Sequence, residues 1–169
     1  MPKSSRLSNP RSSPPRLSHF DEAGHASMVD VSAKQSTRRS ATASAFIELS
    51  AAVLEALPAN PKGNPLEVAR IAGIQAAKRT SDLIPMCHPL PLTHVDVQAK
   101  IAKGGVSITA TAATTGPTGV EMEALTAAAV AALTVYDMTK ALDKAIVIRN
   151  VQLEAKTGGK SGDYSRSAG

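Results

Sequence analysis

Two alternating segments joined by a pair of glycines constrain the fold more than any other feature of the sequence. Apolar and polar side chains alternate over residues 93–103, and the alternation returns over residues 106–114. A period of two residues is typical of a β-strand with one buried face. Because Gly104-Gly105 lies between the segments, the sequence predicts a two-residue turn and an antiparallel hairpin.

Helices and further strands are predicted on both sides of this hairpin. Residues 40–49 alternate in the same way, and residues 145–155 are predicted to form a last strand. Asn64, Pro65 and Glu67 form a helix-start signal with an N-cap, a proline at the first position and an acid at the third. That helix is expected to reach about Lys78.

Two other helices and one rigid loop complete the prediction. A short helix over residues 50–57 should end before Pro58. A long helix is predicted over residues 119–141, with Thr118 and Glu121 as a second capping box. The prolines in residues 84–91 exclude a helix or a central strand there, so Met86, Cys87 and His88 are expected in a loop.

The resulting order, β-α-α-β-β-α-β, matches the split βαβ arrangement of ferredoxin-like folds. The predicted class is α+β, a ferredoxin-like antiparallel sheet with helices packed on one face. The other sheet face must be solvated or covered by a second subunit. Since the elements are rich in alanine and pack closely, an oligomer is favoured.

Composition and charge exclude several classes of function. With no Trp, two Phe and two Tyr, the chain cannot build the stacking platforms of single-strand binders. The net charge is +5, but residues 1–17 hold four basic residues and no acid, so no basic stripe is expected on the folded part. The apolar run at residues 124–135 is too short to span a bilayer.

The chain divides into one folded unit and two ends. Residues 1–16, rich in Ser, Pro and Arg, are predicted to be a disordered basic tail, which is favoured over a loose likeness to a transit peptide. Residues 17–164 are predicted to be the single domain, and residues 165–169 a flexible C-terminus. Cys87 is the one cysteine, which predicts a reducing compartment, the cytoplasm.

The loop pair Cys87-His88 admits several kinds of chemistry. A cysteine nucleophile is disfavoured because such pairs are normally distant in sequence. A zinc deaminase would need a second cysteine, which is missing. His88 is a better candidate, as a substrate ligand or an acid–base group; the alternative is a loop histidine that hydrogen-bonds the backbone.

Charged side chains near helix ends suggest an anionic ligand. Lys62 precedes a helix start, where free N–H groups attract phosphate, although a solvated turn lysine is the alternative. Asp137 and Lys140 share a helix face and form either a surface ion pair or a proton-transfer pair. Glu123 is 14 residues from Asp137, about 21 Å along a helix, so the substrate is long or the site is shared between subunits.

Two further patterns, a pair of acids and a glycine-rich segment, resemble catalytic motifs but do not meet their requirements. Glu121 and Glu123 do not share a helix face, so they are not expected to act as a dyad. The segment 156–162 superficially matches a phosphate-binding P-loop, but its first glycine is replaced by Glu154 and no helix can follow. The alternative interpretation is a flexible lysine-bearing loop that closes on phosphate.

Five segments carry long and ordered motifs. They are 28–34 (MVDVSAK), 69–80 (ARIAGIQAAKRT), 84–90 (IPMCHPL), 119–126 (GVEMEALT) and 136–141 (YDMTKA). Together they resemble the molybdenum cofactor biosynthesis protein C family, the cyclic pyranopterin monophosphate synthases. The resemblance extends from about residue 17 to residue 164.

The resemblance implies a lyase of the phosphorus–oxygen type in molybdenum cofactor biosynthesis. Its substrate would be 3′,8-cyclo-7,8-dihydroguanosine 5′-triphosphate, derived from GTP, and its products cyclic pyranopterin monophosphate, a pterin, and pyrophosphate. It also implies a ferredoxin-like fold and a homo-hexamer, a trimer of dimers with sites at a subunit interface. No tightly bound cofactor and no protein metal site are expected; any Mg²⁺ would arrive with the triphosphate.

The same resemblance assigns the site residues. Asp137 matches the active-site acid, Lys140 its lysine partner and Lys62 a further site lysine, so these three are predicted to be catalytic. Asp30 matches a site position and would bind substrate or orient a lysine. Met86, Cys87 and His88 match one substrate-binding stretch, and Met122 and Glu123 match a second. Glu121, Arg39, Lys156 and Lys160 are predicted to bind substrate because of their charge.

Within that set, the charges suggest a division of roles. Glu121 and Glu123 would hold the guanidine-like edge of the base, since carboxylates pair well with such donors. A triphosphate needs several cations, for which the candidates are Lys62, Arg39, Lys156 and Lys160. The rival from another class is a non-catalytic ligand-binding module, because a fold does not imply a function.

Overall fold

The computed structural model describes residues 24–167, and these form one antiparallel sheet with helices on one face. The strands are β1 (Thr37–Glu48), β2 (Leu92–Ala102), β3 (Gly105–Gly116), β4 (Val147–Thr157) and β5 (Tyr164–Ser165). Their order across the sheet is β2-β3-β1-β4-β5. The predicted basic tail lies outside the described residues.

The helices are α1 (Ala51–Ala56), α2 (Pro65–Ala77), α3 (Thr80–Leu83) and α4 (Glu121–Thr139), with a 3₁₀ turn at Leu57–Ala59 after α1. Helices α2 and α4 pack against each other and against the sheet. The predicted α+β, ferredoxin-like class is therefore confirmed. No helix among residues 24–167 is both long and apolar enough to cross a membrane.

Small aliphatic side chains build the core. Along β1, Ala41, Ala43, Ala45 and Ile47 point to the helices and are buried, whereas the alternate residues lie on the opposite face. Five alanines of α4 are fully buried against this surface: Ala124, Ala127, Ala128, Ala131 and Ala132. Because alanine adds little bulk, the layers approach closely, and a Cβ on Gly73 of α2 would lie 2.9 Å from the carbonyl oxygen of Ala127.

The start of α2 follows its sequence signal. Asn64 is the N-cap, and its side-chain oxygen accepts hydrogen bonds from the N–H groups of Leu66 (3.0 Å) and Glu67 (3.4 Å). The Glu67 carboxylate accepts from Arg70 (2.9 Å), one turn along the helix. Such a cap stabilises a helix by about 1 kcal/mol.

The predicted turn and the predicted capping box of α4 are wrong, and β4 spans residues 147–157 and not the predicted 145–155. The hairpin turn is Lys103-Gly104, because Gly105 already belongs to β3, where a Cβ would come within 1.9 Å of the Ile47 carbonyl oxygen. Helix α4 begins at Glu121 with Val120 as N-cap and no side-chain cap bond, so the Thr118–Glu121 capping box does not form. Strand β5, whose Ser165 pairs with Ala155, was not predicted.

Candidate active site

A pocket of about 260 Å³ lies where the proline-rich loop faces the first turn of α4. Three segments form its wall: residues 29–34, residues 86–90 and residues 118–123. The predicted site residues that line it are Met86, Cys87, His88, Glu121, Met122 and Glu123. The structure therefore brings together side chains from two distant motifs, and we call this cavity the acidic pocket.

Loop contacts fix the state of the pocket's two nucleophilic side chains. His88 places Nε2 2.9 Å from the backbone oxygen of Val29, so this nitrogen donates and Nδ1 is left for another partner. The backbone-bonded alternative is thus what the structure shows, although the ring also lines the pocket. Burial, and then the charge of Glu123, raises the pKa of the Cys87 thiol, which therefore stays protonated.

Glu123 is the most deeply buried acid of the pocket, with 4% of its surface exposed. Burial raises the pKa of its carboxyl above the ordinary value of 4.5; a hydrogen bond from its own backbone N–H opposes this, and the charge of Glu121 adds to it. A buried carboxylate of this kind is poised to bind a cationic or multiply N–H-bearing group.

Glu121 lies two residues before Glu123 in the first turn of α4, and its carboxylate covers Gly119. A Cβ on Gly119 would come within 1.9 Å of the Glu121 Oε2 atom, so the carboxylate occupies the space that any side chain at residue 119 would take. Glycine at this position leaves room for the Glu121 carboxylate, and Glu121 and Glu123 both line the acidic pocket.

A second and larger pocket, of about 770 Å³, adjoins the acidic pocket. The two share Lys34, Thr118 and Gly119 in their walls. Among the predicted cations, Arg39 and Lys160 line the second pocket. We call it the basic pocket, because three cationic residues, Lys34, Arg39 and Lys160, line it from two segments of the chain.

The basic pocket is shaped by backbone contacts of Arg39 and by a glycine loop. Arg39 donates from Nε to the oxygen of Gly116 (3.0 Å) and from Nη2 to the oxygen of Pro117 (3.1 Å). Gly159, at φ +82°, passes so close that a Cβ would lie 2.3 Å from Arg39 Nη1. The Lys156 ammonium donates to Ser161 Oγ, and Ser161 lines the pocket.

Asp30 closes the turn that leads to Lys34. Its Oδ1 atom accepts hydrogen bonds from the Ser32 N–H (2.9 Å) and Ser32 Oγ (2.6 Å). The Lys34 N–H then donates to the oxygen of Val31 (2.9 Å). Asp30 is thus beside the pockets, in a turn-forming position, and does not line the acidic pocket itself.

The three predicted catalytic residues meet at the opposite end of α4. Lys140 Nζ is 2.6 Å from Asp137 Oδ1, and Lys62 Nζ donates to the backbone oxygen of Asp137 (3.4 Å). The hydrogen bond and charge of Lys140, and then the charge of Lys62, lower the pKa of Asp137. The same pair raises the pKa of Lys140, so near neutral pH the cluster holds one carboxylate and a protonated amine.

This cluster of predicted catalytic residues and the two pockets lie at opposite ends of α4. Fourteen residues, about 21 Å of helix, separate Glu123 from Asp137 on α4. Both pockets include residues near the start of β1, whereas the chain reaches Lys62 only after the end of that strand. One chain therefore does not gather all of the predicted site residues into one cavity.

Three residues that the two pocket walls share, and one residue that contacts the cluster, were not among the predicted site residues. Lys34 is the one basic residue of the 28–34 segment, so a signal for it existed. Thr118 and Gly119 were interpreted as helix-start residues. Asn60, which contacts the cluster, gave no signal, because an asparagine beside a proline is typical of an ordinary turn.

Comparison with known proteins identifies the family. The sequence profile described as "MoaC family" matches residues 28–159. A cyclic pyranopterin monophosphate synthase of Streptomyces griseus is 59% identical over 155 residues, covering 90% of this chain and 88% of the relative. Proteins of the same name from Parvibaculum lavamentivorans (55%, covering 88% and 96%) and Staphylococcus aureus strain JH9 (52%, covering 90% and 98%) are also similar. The resemblance seen in the sequence is thus confirmed, and the chain belongs to the MoaC family.

Proposed function

We propose that the protein is a cyclic pyranopterin monophosphate synthase of molybdenum cofactor biosynthesis. It converts cyclised dihydro-GTP into cyclic pyranopterin monophosphate and releases pyrophosphate. The observation that carries this proposal is 59% identity over 90% of the chain to a protein of that name. The acids and cations of the two adjoining pockets agree with a substrate that has a guanine-derived ring and a triphosphate.

The acidic pocket is proposed to hold the base and the basic pocket the triphosphate. Glu121 and Glu123 offer carboxylates to the N–H groups of the guanidine-like edge, which is the pairing that gives strong, directional hydrogen bonds. Lys34 lies in the wall that the pockets share, where the sugar and the first phosphate would pass. Arg39 and Lys160 would then neutralise the outer phosphates, with Lys156 holding the loop through Ser161.

The chemistry requires proton transfers and a displacement at phosphorus. A hydroxyl of the sugar-derived part attacks the innermost phosphorus, and pyrophosphate leaves as the cyclic phosphate closes. Asp137, ionised beside Lys140, would accept and return protons during the ring opening and rebuilding. Lys62 and Lys140 would stabilise the negative charge that develops, and Mg²⁺ would enter with the triphosphate.

A complete site is proposed to need two copies of the chain. A substrate that fills both pockets stays at one end of the sheet, whereas Asp137 lies about 21 Å along α4. Pairing the first turn of one α4 with the last turn of a neighbour's would place the acids and the lysines at separate parts of one bound substrate. This supports the intersubunit sites of the homo-hexamer, a trimer of dimers, that the family resemblance implies. The compartment proposed is the cytoplasm.

Mixing two inactive variants tests the shared site. Glu123→Gln and Asp137→Ala damage opposite ends of α4, so a dimeric site built from both chains leaves one intact site in each mixed pair. Random subunit exchange should then restore about one quarter of wild-type turnover. No recovery after demonstrated exchange would place both residues of a working site in one chain.

The activity itself is tested by turnover. Purified protein is incubated with the cyclised dihydro-GTP substrate, and pyrophosphate and the pterin product are measured for wild type and Asp137→Ala. We expect product from wild type and a loss of at least two orders of magnitude in the variant, typical of a missing acid–base group. Binding without product in wild type would instead favour the ligand-binding module.

A further inference from the structure

Asn60 links the loop that carries Lys62 to the end of α4 that carries Asp137 and Lys140. Its Nδ2 group donates to the backbone oxygen of Met138 (2.9 Å), a contact between residues 78 apart in the chain. Its Oδ1 atom accepts from the backbone N–H of Lys62 (2.9 Å). One half-buried side chain therefore touches both parts of the catalytic cluster.

The end of α4 gives these contacts a physical basis. The last carbonyl groups of a helix have no intrahelical N–H partner and must find one elsewhere. In α4 the oxygen of Met138 is satisfied by Asn60, and that of Asp137 faces the Lys62 ammonium at 3.4 Å. The loop thus caps the helix, and the carbonyl groups at the helix end hold the loop in place.

Lys62 depends on this cap because its own position is weakly determined. The residue is exposed, its neighbour Gly63 is at φ +97°, and a lysine side chain has many rotamers. The contact of its ammonium with Asp137 is long. The Asn60 bonds instead fix the backbone from which the side chain extends, so they restrict where Nζ can reach.

We propose that Asn60 is a positioning residue for the reaction, one that holds Lys62 in register with Asp137 and Lys140. This inference rests on the proposed function, since it assigns Lys62 to the reacting centre. It predicts an effect on turnover and little effect on substrate binding, because Asn60 lies at the cluster and does not line either pocket. Misplacing a reacting group by about 1 Å can cost about 100-fold in rate.

Two Asn60 variants and one matched control separate positioning from stability. Asn60→Ala removes both hydrogen bonds. Asn60→Asp keeps an acceptor for the Lys62 N–H but loses the donor to Met138. Asn64→Ala is the control: it lies in the same loop region, its side chain caps α2 through Leu66 and Glu67, and its loss should lower the melting temperature by roughly 2–4 °C.

The measurements are kcat, KM, the melting temperature and amide hydrogen exchange at Lys62. We expect Asn60→Ala to lower kcat by about 10–100-fold, with KM within about threefold of wild type and faster exchange of the Lys62 amide. Asn60→Asp should lose turnover similarly while its Lys62 amide stays protected. Asn64→Ala should keep wild-type kcat despite its lower melting temperature.

Other outcomes overturn the proposal in distinguishable ways. A kcat for Asn60→Ala within twofold of wild type would show that the link does not position the reacting groups. If Asn64→Ala lowers kcat as much as Asn60→Ala does, the effect of Asn60 is structural. If Asn60→Ala changes KM alone, the role of Asn60 is in substrate binding. If wild type makes no product, the proposed function fails first and this inference falls with it.

Discussion

Replacing Glu123 by glutamine should stabilise the fold and damage the activity. The side chain is 4% exposed, and burial dominates the upward shift of its pKa, so the ionised form is strained in the folded chain. A buried polar group without a full partner costs about 1–3 kcal/mol. Since the pocket opens to solvent, the lower part of that range, about 1–2 kcal/mol, applies. For a chain of this length, that raises the melting temperature by roughly 2–8 °C.

The stabilisation should depend on pH with a defined sign. An acid whose pKa is raised by folding binds more protons in the folded than in the unfolded state, so stability falls as pH rises through the interval between the two values. The lower bound of this interval is the ordinary value of 4.5. The advantage of Glu123→Gln should therefore grow as the pH rises above 4.5, so that it is larger near pH 8 than near pH 4, where it shrinks toward zero.

Glu121→Gln provides the matched control. It removes the same charge from the same helical turn, so both variants lose a similar favourable interaction with the helix dipole, about 0.3–1 kcal/mol. Thermal unfolding near pH 8 and pH 4 and turnover at neutral pH are measured for all three proteins. In turnover, Glu123→Gln should lose about 10–150-fold in kcat/KM, the value of a hydrogen bond to a charged group. A lower melting temperature than wild type near pH 8 would refute the reasoning, because it would mean that a cation pairs with Glu123 in the assembled protein.

Three further predictions use other parts of the structure. The acid limb of the pH profile of kcat/KM should lie above pH 4.5 and disappear in Glu123→Gln. In Glu121→Gln the limb should move to lower pH, because the Glu121 charge that raises the Glu123 pKa is removed. Lys160→Ala should raise KM about tenfold or more with kcat nearly unchanged, as expected for lost ground-state binding, while Lys103→Ala in the hairpin turn changes neither. Gly73→Ala should lower the urea midpoint, since its Cβ meets the Ala127 carbonyl oxygen at 2.9 Å and two Val97 methyls near 3.1 and 3.2 Å, a cost of about 1–3 kcal/mol; an unchanged midpoint would contradict the packing argument.

Local signals predicted the elements well where the local chemistry also determines them. Asn64 and Pro65 predicted the first residue of α2, because a cap acts within one turn. The alternation of β1, β2 and β3 predicted the strands, because burial of one face repeats every two residues. The prediction of the start of α4 failed because no local signal determines it. Val120 has no capping side chain, so packing of the helix on the sheet sets the first residue of α4.

The candidate site was predictable only in part. Family resemblance supplied the residues. Neither spacing nor periodicity says that His88 and Glu123, 35 positions apart, would line the same pocket, because tertiary packing decides that placement. Gly105 likewise belongs to β3 and not to the turn, and the space for a Cβ there is taken by the Ile47 carbonyl oxygen of β1, which no local window contains. The role of Asn60 depends on a helix end 78 residues later, so no local window contains it.

The packing of α4 makes the separation of its two ends a fixed property of the chain. Its buried alanines recur every three to four residues against β1 and β3, and Gly73 brings α2 against the carbonyl of Ala127 from the other side. A helix that is close-packed along its length cannot bend to bring Glu123 toward Asp137, since interiors packed at this density transmit displacement and do not absorb it. Under the proposed function, closing the gap therefore falls to a second copy. A two-fold pair then forms two equivalent sites, because each contact across a two-fold axis occurs twice. In each site, the acids come from one copy of the helix and the lysines from the other.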